Sequence, residues 1–138
     1  SNHPVFGEFP TDNWQNLNWW ELVNKAQVMN LLEFPEDYQP IVQPIDTWHI
    51  NRKLGMLFEA NVLKGRLMMT TIDLSGHLDT RLVARQLLKS VLDYMNGPYF
   101  KPTLRLPLKV ISDLYEKEAS AVKMYTKDSP DELKPKLK

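Results

Sequence analysis

Between Lys53 and Leu74 the chain reads KLGMLFEANVLKGRLMMTTIDL, and its apolar positions recur every second residue. Leu54, Met56, Phe58, Ala60 and Val62 fall on one face of an extended run. Lys64-Gly65 supplies a turn, and Leu67 to Leu74 resumes as a second β-rich run, so the stretch predicts a β-hairpin. The second run is apolar or β-branched on both faces, with Leu67, Met69 and Thr71 on one and Met68, Ile72 and Leu74 on the other. That pattern predicts a strand covered on both sides. The period then becomes helical: Ala84, Leu87, Leu88, Val91 and Met95 repeat at helix spacing until Asn96-Gly97-Pro98 stops the run, and Asp79 or Thr80 is placed to cap its start.

The flanking pattern is less regular. HPVFGEFP, from His3 to Pro10, breaks its apolar residues with prolines and a glycine and reads as a docked loop whose two Phe rings pack. Thr11 to Trp20 holds three of the four tryptophans among asparagines and a glutamine. Glu21 to Leu32 reads as a helix end followed by a short strand, with Val28, Leu31 and Leu32 inside. Gln39 to Ile45 is extended, because each proline biases the residue before it away from helix, and two prolines suit an edge strand. Asp46 to Arg52 is a short polar loop. Pro98 to Pro107 is irregular, and Leu108 to Glu118 predicts a shorter helix with Leu108, Ile111, Leu114 and Tyr115 inward and Pro107 at its start. From Lys127 the chain is KDSPDELKPKLK, with almost nothing to bury, which predicts a flexible tail or linker over 127–138.

Length and charge narrow the function classes. At 138 residues the chain is expected to form one domain over 3–126, with Ser1-Asn2 reading as an expression scar. Seventeen basic and seventeen acidic side chains cancel, which leaves no electrostatic footprint for nucleic acid or an anionic membrane. No apolar run reaches the ~20 residues of a membrane span, and no signal peptide is visible. The absence of cysteine excludes disulfides, thiolate metal sites and a thiol nucleophile. Glycines 7, 55, 65, 76 and 97 form no phosphate loop, histidines 3, 49 and 77 form no HxH or HExxH pair, and no serine sits in a GxSxG context. Neither cofactor, metal nor catalytic residue is therefore assigned.

Two constellations carry candidate chemistry. Rings beside amides suit a sugar site, because C–H faces stack on indole while hydroxyls pair with amides; the same composition describes a core edge with satisfied indole N–H groups. In the sugar reading Trp14, Trp19, Trp20 and Trp48 are stacking platforms, and Asp46, His49, Asn51 and Arg52 are polar contacts to an oligosaccharide. Asp46, Glu59, Asp73 and Asp79 flank the hairpin, only Glu59 and Asp73 falling within strand runs, and a glycosidase needs two carboxylates ~5–9.5 Å apart. Acidic groups at strand edges and helix starts are far more often solvated or capping.

Several segments, HPVFGEFPT, NWWELV, PIVQPIDTWHINRKLGMLFEANVLKGRLMMTTIDL and LDTRLVARQLLKSVLDYM, resemble together, in order and spacing, the C-terminal accessory region of family 2 glycoside hydrolases. These are β-galactosidase-like enzymes with an N-terminal sugar-binding domain, from polysaccharide-degrading Gram-negative bacteria. The resemblance implies an α/β fold, a partial three-layer flavodoxin or class I glutamine-amidotransferase-like sheet flanked by helices. It further implies a periplasmic or cell-surface location, the other domains of the parent glycosidase as partners, and self-association into a homo-oligomer. Gly76-His77-Leu78-Asp79 occupies roughly the place of the amidotransferase His-x-Glu pair, but without a cysteine that activity does not carry over. Hydrolysis does not carry over either, since the family's glutamates sit on a (β/α)8 barrel of ~250 residues. The expected role is a non-catalytic accessory domain, with a carbohydrate-binding module as the alternative.

Overall fold

The computed structural model describes residues 2–7, 9–11, 16–24, 26–48 and 50–117. Its elements are a 3-10 turn (Pro4–Phe6), α1 (Leu17–Val23), β1 (Met29–Asn30), β2 (Leu54–Gly55), β3 (Leu57–Val62), β4 (Gly65–Thr70), α2 (Leu82–Asn96), β5 (Arg105–Leu106) and α3 (Leu108–Glu116). Strands and helices intermix in an α/β fold. β3 and β4 form the expected antiparallel hairpin, with Glu59 opposite Met68 and Val62 opposite Gly65, and β5 joins β3 in parallel to give the order β4-β3-β5. β1 and β2 form a separate two-stranded sheet.

Alternation along β3 separates two cores. Phe58, Ala60 and Val62 point to one face, where they meet Met69, Phe34, Leu106 and the α3 residues Val110, Ile111 and Leu114. Leu57 points to the other, where Met56, Met68, Ile72 and Leu74 pack under α2 through Ala84, Leu87, Val91 and Tyr94. These four helical positions are three or four apart, so one stripe of α2 supplies the whole contact. The Pro4–Phe6 turn closes the same core with Val5 and Phe6, and Ser90 Oγ donates to the Phe6 carbonyl at 2.6 Å.

Several details differ from the pattern-based expectation. The first extended run is not continuous: it bends at Met56, whose amide donates to Val42 and whose side chain joins the α2 core, away from Phe58. β2 lies close under β1, where a Cβ on Gly55 would come within 2.7 Å of Leu31 Cδ1. The turn residues are Leu63 and Lys64, while Gly65 already pairs with Val62, and Leu63 takes φ +54°. β4, expected to be covered on both sides, is an outer strand; its side chains touch both cores, but Gly65 and Arg66 are exposed. The strand buried through is β3, because β5 takes its far side. Neither Asp79 nor Thr80 caps α2. Arg81 holds that position without a side-chain cap bond, and Glu21 Oε1, from α1, accepts from the Ala84 amide at 3.4 Å. Val28, Leu32, Leu108 and Tyr115, expected inside, are exposed. α3 rotates Val110 inward in place of Leu108 and Tyr115. The end of the predicted Leu108–Glu118 helix and the 127–138 tail lie outside the described residues.

Phe58 is fully buried between β4 and the Phe34 ring, 5.1 Å away and edge-on. Phe58→Ala should therefore cost about 3–5 kcal/mol, read as a lowered denaturation midpoint at unchanged slope; a loss within the range of a surface substitution would contradict the central placement of β3. Leu63, exposed and in the left-handed region, carries steric strain that asparagine relieves. Leu63→Asn is expected to raise stability by about 1 kcal/mol in the same measurement.

Candidate functional site

The loop expected to hold polar sugar contacts is a closed structure. Thr47 accepts from the amides of Ile50 and Asn51 at 3.1 Å, and Asn51 turns the chain with φ +50°. Arg52 then clamps Asp46 three times: Nε to Oδ2 at 2.8 Å, Nη2 to Oδ1 at 3.0 Å and the backbone amide to Oδ2 at 2.9 Å. The Asp46 side chain is only 4 % exposed. These bonds, the guanidinium first, hold its carboxyl far below the usual carboxylate range. Asp46 and Arg52 thus satisfy each other instead of offering contacts to a ligand. The fork-to-fork geometry stiffens the loop that displays Trp48, which is 86 % exposed, and Asn51.

The tryptophans divide. Trp19, expected as a platform, is a core residue at 9 % exposure, edge-on to Phe6 at 5.9 Å and to Phe9 at 5.7 Å. Its neighbour Trp20 is 63 % exposed on the outer side of α1. The helix explains the split: Asn16 Oδ1 accepts from the Asn18 and Trp19 amides, fixing the first turn, and adjacent positions on a helix point about 100° apart. Trp14 and His49 lie outside the described residues. Trp20 and Trp48 belong to separate segments, and neither joins the clefts described next.

A cleft of about 1110 Å³ opens between the α1–β1 segment, the C-terminal end of β4 and α3. Val28, Met69, Val110 and Leu114 give it an apolar floor, and the Thr71 hydroxyl on its wall is buried without a hydrogen-bond partner among the described residues. Charges on its rim are already paired. Arg81 Nη1 meets Asp73 at 3.0 Å and the Gly76 carbonyl at 3.1 Å, its Nε lies 3.6 Å from Glu21, and Lys117 bridges Glu33 and Asp113. Asp73 also accepts from the Ser75 and Gly76 amides, and those amides hold its carboxyl below the usual range. Asp73 is therefore a turn-forming acid. His77 reaches the cleft from an exposed position at φ +52°, and no hydrogen bond or ion pair joins it to Asp79 among the described residues.

A second, smaller cleft of about 300 Å³ lies beside β3, lined by His3, Tyr38, Gln39, Ile41, Glu59 and Thr103, among others. Glu59 was legible only as a carboxylate within a strand. Its Oε2 accepts from Tyr94 Oη at 2.7 Å, and its backbone oxygen from Tyr38 Oη at 3.3 Å. Among the described residues no group of three or more metal-binding side chains lies together, and no helix is long and apolar enough to cross a membrane.

Residues 1–116 match the family model described as a domain of unknown function, DUF8487. The chain belongs to that family. No curated protein matches it. In this DUF8487 chain the bidentate Asp46–Arg52 pair is the most fully bonded polar contact at any predicted site residue, and it yields a sign-definite expectation. A carboxyl whose folded pKa is depressed stabilises the fold above its unfolded pKa, and that contribution is lost as pH falls through the folded value. The loop should hold its conformation through mildly acidic pH, and Asp46→Asn should speed hydrogen exchange at the Arg52 amide well before the protein unfolds. Equal exchange in both proteins would show that the clamp does not order the loop.

Proposed function

We propose that this chain is a non-catalytic accessory domain of a multidomain, β-galactosidase-like glycoside hydrolase engaged in polysaccharide degradation, serving domain packing or oligomerisation. The observation that carries the reading is the wide cleft beside the outer strand β4, with an apolar floor and paired charges on its rim. Exposed Val28, Leu32 and Tyr115 extend that apolar surface. Such a surface suits another polypeptide better than a small substrate, which needs convergent unpaired polar groups. The resemblance of the segments from His3 onward supplies the identity of the parent enzyme. The parallel pairing of β5 with β3, and the packing of α2 and α3 on opposite faces, support the finer flavodoxin-type, three-layer reading. The partners in this reading are the other domains of the parent glycosidase or a second copy, in the periplasm or at the cell surface.

Exposed Trp20 and Trp48 favour a second reading, a carbohydrate-binding module. Among the described residues, burial of Trp19 and the mutual saturation of Asp46 and Arg52 reduce its contacts to Trp20, Trp48 and Asn51. Sedimentation velocity of the chain, alone and with the (β/α)8 barrel domain of the same polypeptide, separates the two. Association that weakens about tenfold or more in a Val28→Glu, Leu32→Glu variant is the expected result; a monomer indifferent to the barrel defeats the first reading. If tryptophan fluorescence instead responds to galactosides at roughly millimolar concentration, and Trp48→Ala abolishes the response, the second reading replaces it.

A further inference from the structure

Glu59 is a half-buried carboxylate on the central strand, and it forms no ion pair with Lys or Arg among the described residues. Its hydrogen bond from Tyr94 occupies Oε2, while Oε1 accepts none among the described residues. A carboxylate withdrawn from water without a compensating cation is costly, and elsewhere in this fold buried or half-buried acids are matched: Asp46 by Arg52, Asp113 by Lys109 and Lys117. Glu59 stands apart from them, at the wall of a cleft of about 300 Å³.

The other described residues of the wall bring no Lys or Arg, and two of them, Tyr38 and His3, carry rings. Tyr38 and the His3 ring line the cleft, and His3 packs edge-on against Tyr94 at 5.4 Å. Burial pushes the Tyr38 phenol up to about 12 and raises Tyr94 further, so both stay neutral over the physiological range. Burial, opposed by the Glu59 charge, lowers the His3 imidazole, so His3 does not supply the missing positive charge at neutral pH. One anion beside the Tyr38 ring, in a space large enough for an organic head group, is a cation-recognition chemistry: the carboxylate provides the counter-charge and the phenol ring's quadrupole attracts the same sign.

We propose that the Glu59 cleft, walled by Tyr38, His3 and Gln39, binds an organic ammonium or guanidinium group. That group is carried either by a free amine or by a lysine or arginine side chain of a neighbouring polypeptide. Binding places the cation against Oε1 and leaves the Tyr94 bond to Oε2 in place. A neutral sugar would hydrogen-bond the carboxylate but leave its charge uncompensated, which is why the cation is the better match. The inference rests on the cleft alone and stands or falls apart from the accessory-domain reading.

The test is an amide NMR titration of the full chain with n-butylammonium chloride, with the tripeptides Ala-Lys-Ala and Ala-Arg-Ala, and with galactose, against sodium chloride at matched ionic strength. Saturable shifts at Tyr38, Gln39, Glu59 and Leu104, with roughly millimolar affinity, are expected from the cations and not from galactose. Glu59→Gln, which keeps an acceptor for Tyr94, should weaken them about tenfold. A tripeptide that binds more tightly than butylammonium identifies a polypeptide source, and equal affinity a free amine. Shifts reproduced by sodium chloride, shared by galactose or undiminished in Glu59→Gln overturn the proposal. Should that variant not fold, the wild-type titration decides: a response confined to the cleft supports the site, and one spread over the surface carboxylates refutes it.

Discussion

β3 has to be covered on both faces, and most of the structure answers to that requirement. Leu57 on one face of the strand and Phe58 and Ala60 on the other are all buried, so apolar layers must exist above and below a strand only six residues long. α2 and the Pro4–Phe6 turn supply one layer, while α3 and the Phe34 segment supply the other. A strand in this position cannot shift register by one residue without exchanging Phe58 for Glu59 in the α3 core, which fixes the hairpin pairing more firmly than its turn does. The turn itself accepts strain at Leu63, consistent with a register imposed from the centre.

The loops that complete the two layers bring Phe34, Phe100 and Leu104 to the cores, and side chains from the strands and their ends hold them there. Asn61 Nδ2 donates to the Pro102 carbonyl, and the Asn61 amide donates to Leu104 at 2.7 Å, which is how the irregular 98–107 segment comes to lie parallel to β3. Lys53 Nζ gathers the carbonyls of Pro35 and Glu36 at 2.6 and 2.9 Å, closing the loop that brings Phe34 to the sheet. Tyr38 adds its bond to Glu59. Backbone carbonyls that no regular ladder could satisfy thereby find donors, as interior packing demands.

What was legible in the sequence was periodic and local. The hairpin, α2 and its Asn96-Gly97 end are written in neighbouring residues, and so is the docked HPVF loop. Features that depend on distant partners were hidden. Nothing near Leu82 signals that its helix is capped by Glu21 from α1, and nothing in RL at 105–106 marks a strand apart from the bonds that Asn61 and its neighbours extend to it. Met56 looks like one more inward residue of an alternating run, yet a bridge from Val42 bends the chain there and turns it to the other core. Trp19 and Trp20 carry the same chemistry, and only the phase of α1, set by the Asn16 cap, decides which is buried. For the candidate site, Asp46 and Arg52 were picked out by type, but their six-residue separation did not disclose that they would close on each other. Glu59 stood out as a strand carboxylate, whereas Tyr94 and His3, brought beside it from remote segments, did not.

Arg66 is the one charged side chain on β4, the strand at the margin of its sheet. Its guanidinium folds back to donate to the Phe100 carbonyl and lies 5.1 Å from the centre of the Phe100 ring. Proteins commonly station a cation on a marginal strand so that incoming strands are repelled. Here that sentinel doubles as a rivet for the loop behind it, so the positive charge on the border is pinned in one place instead of sweeping along the strand.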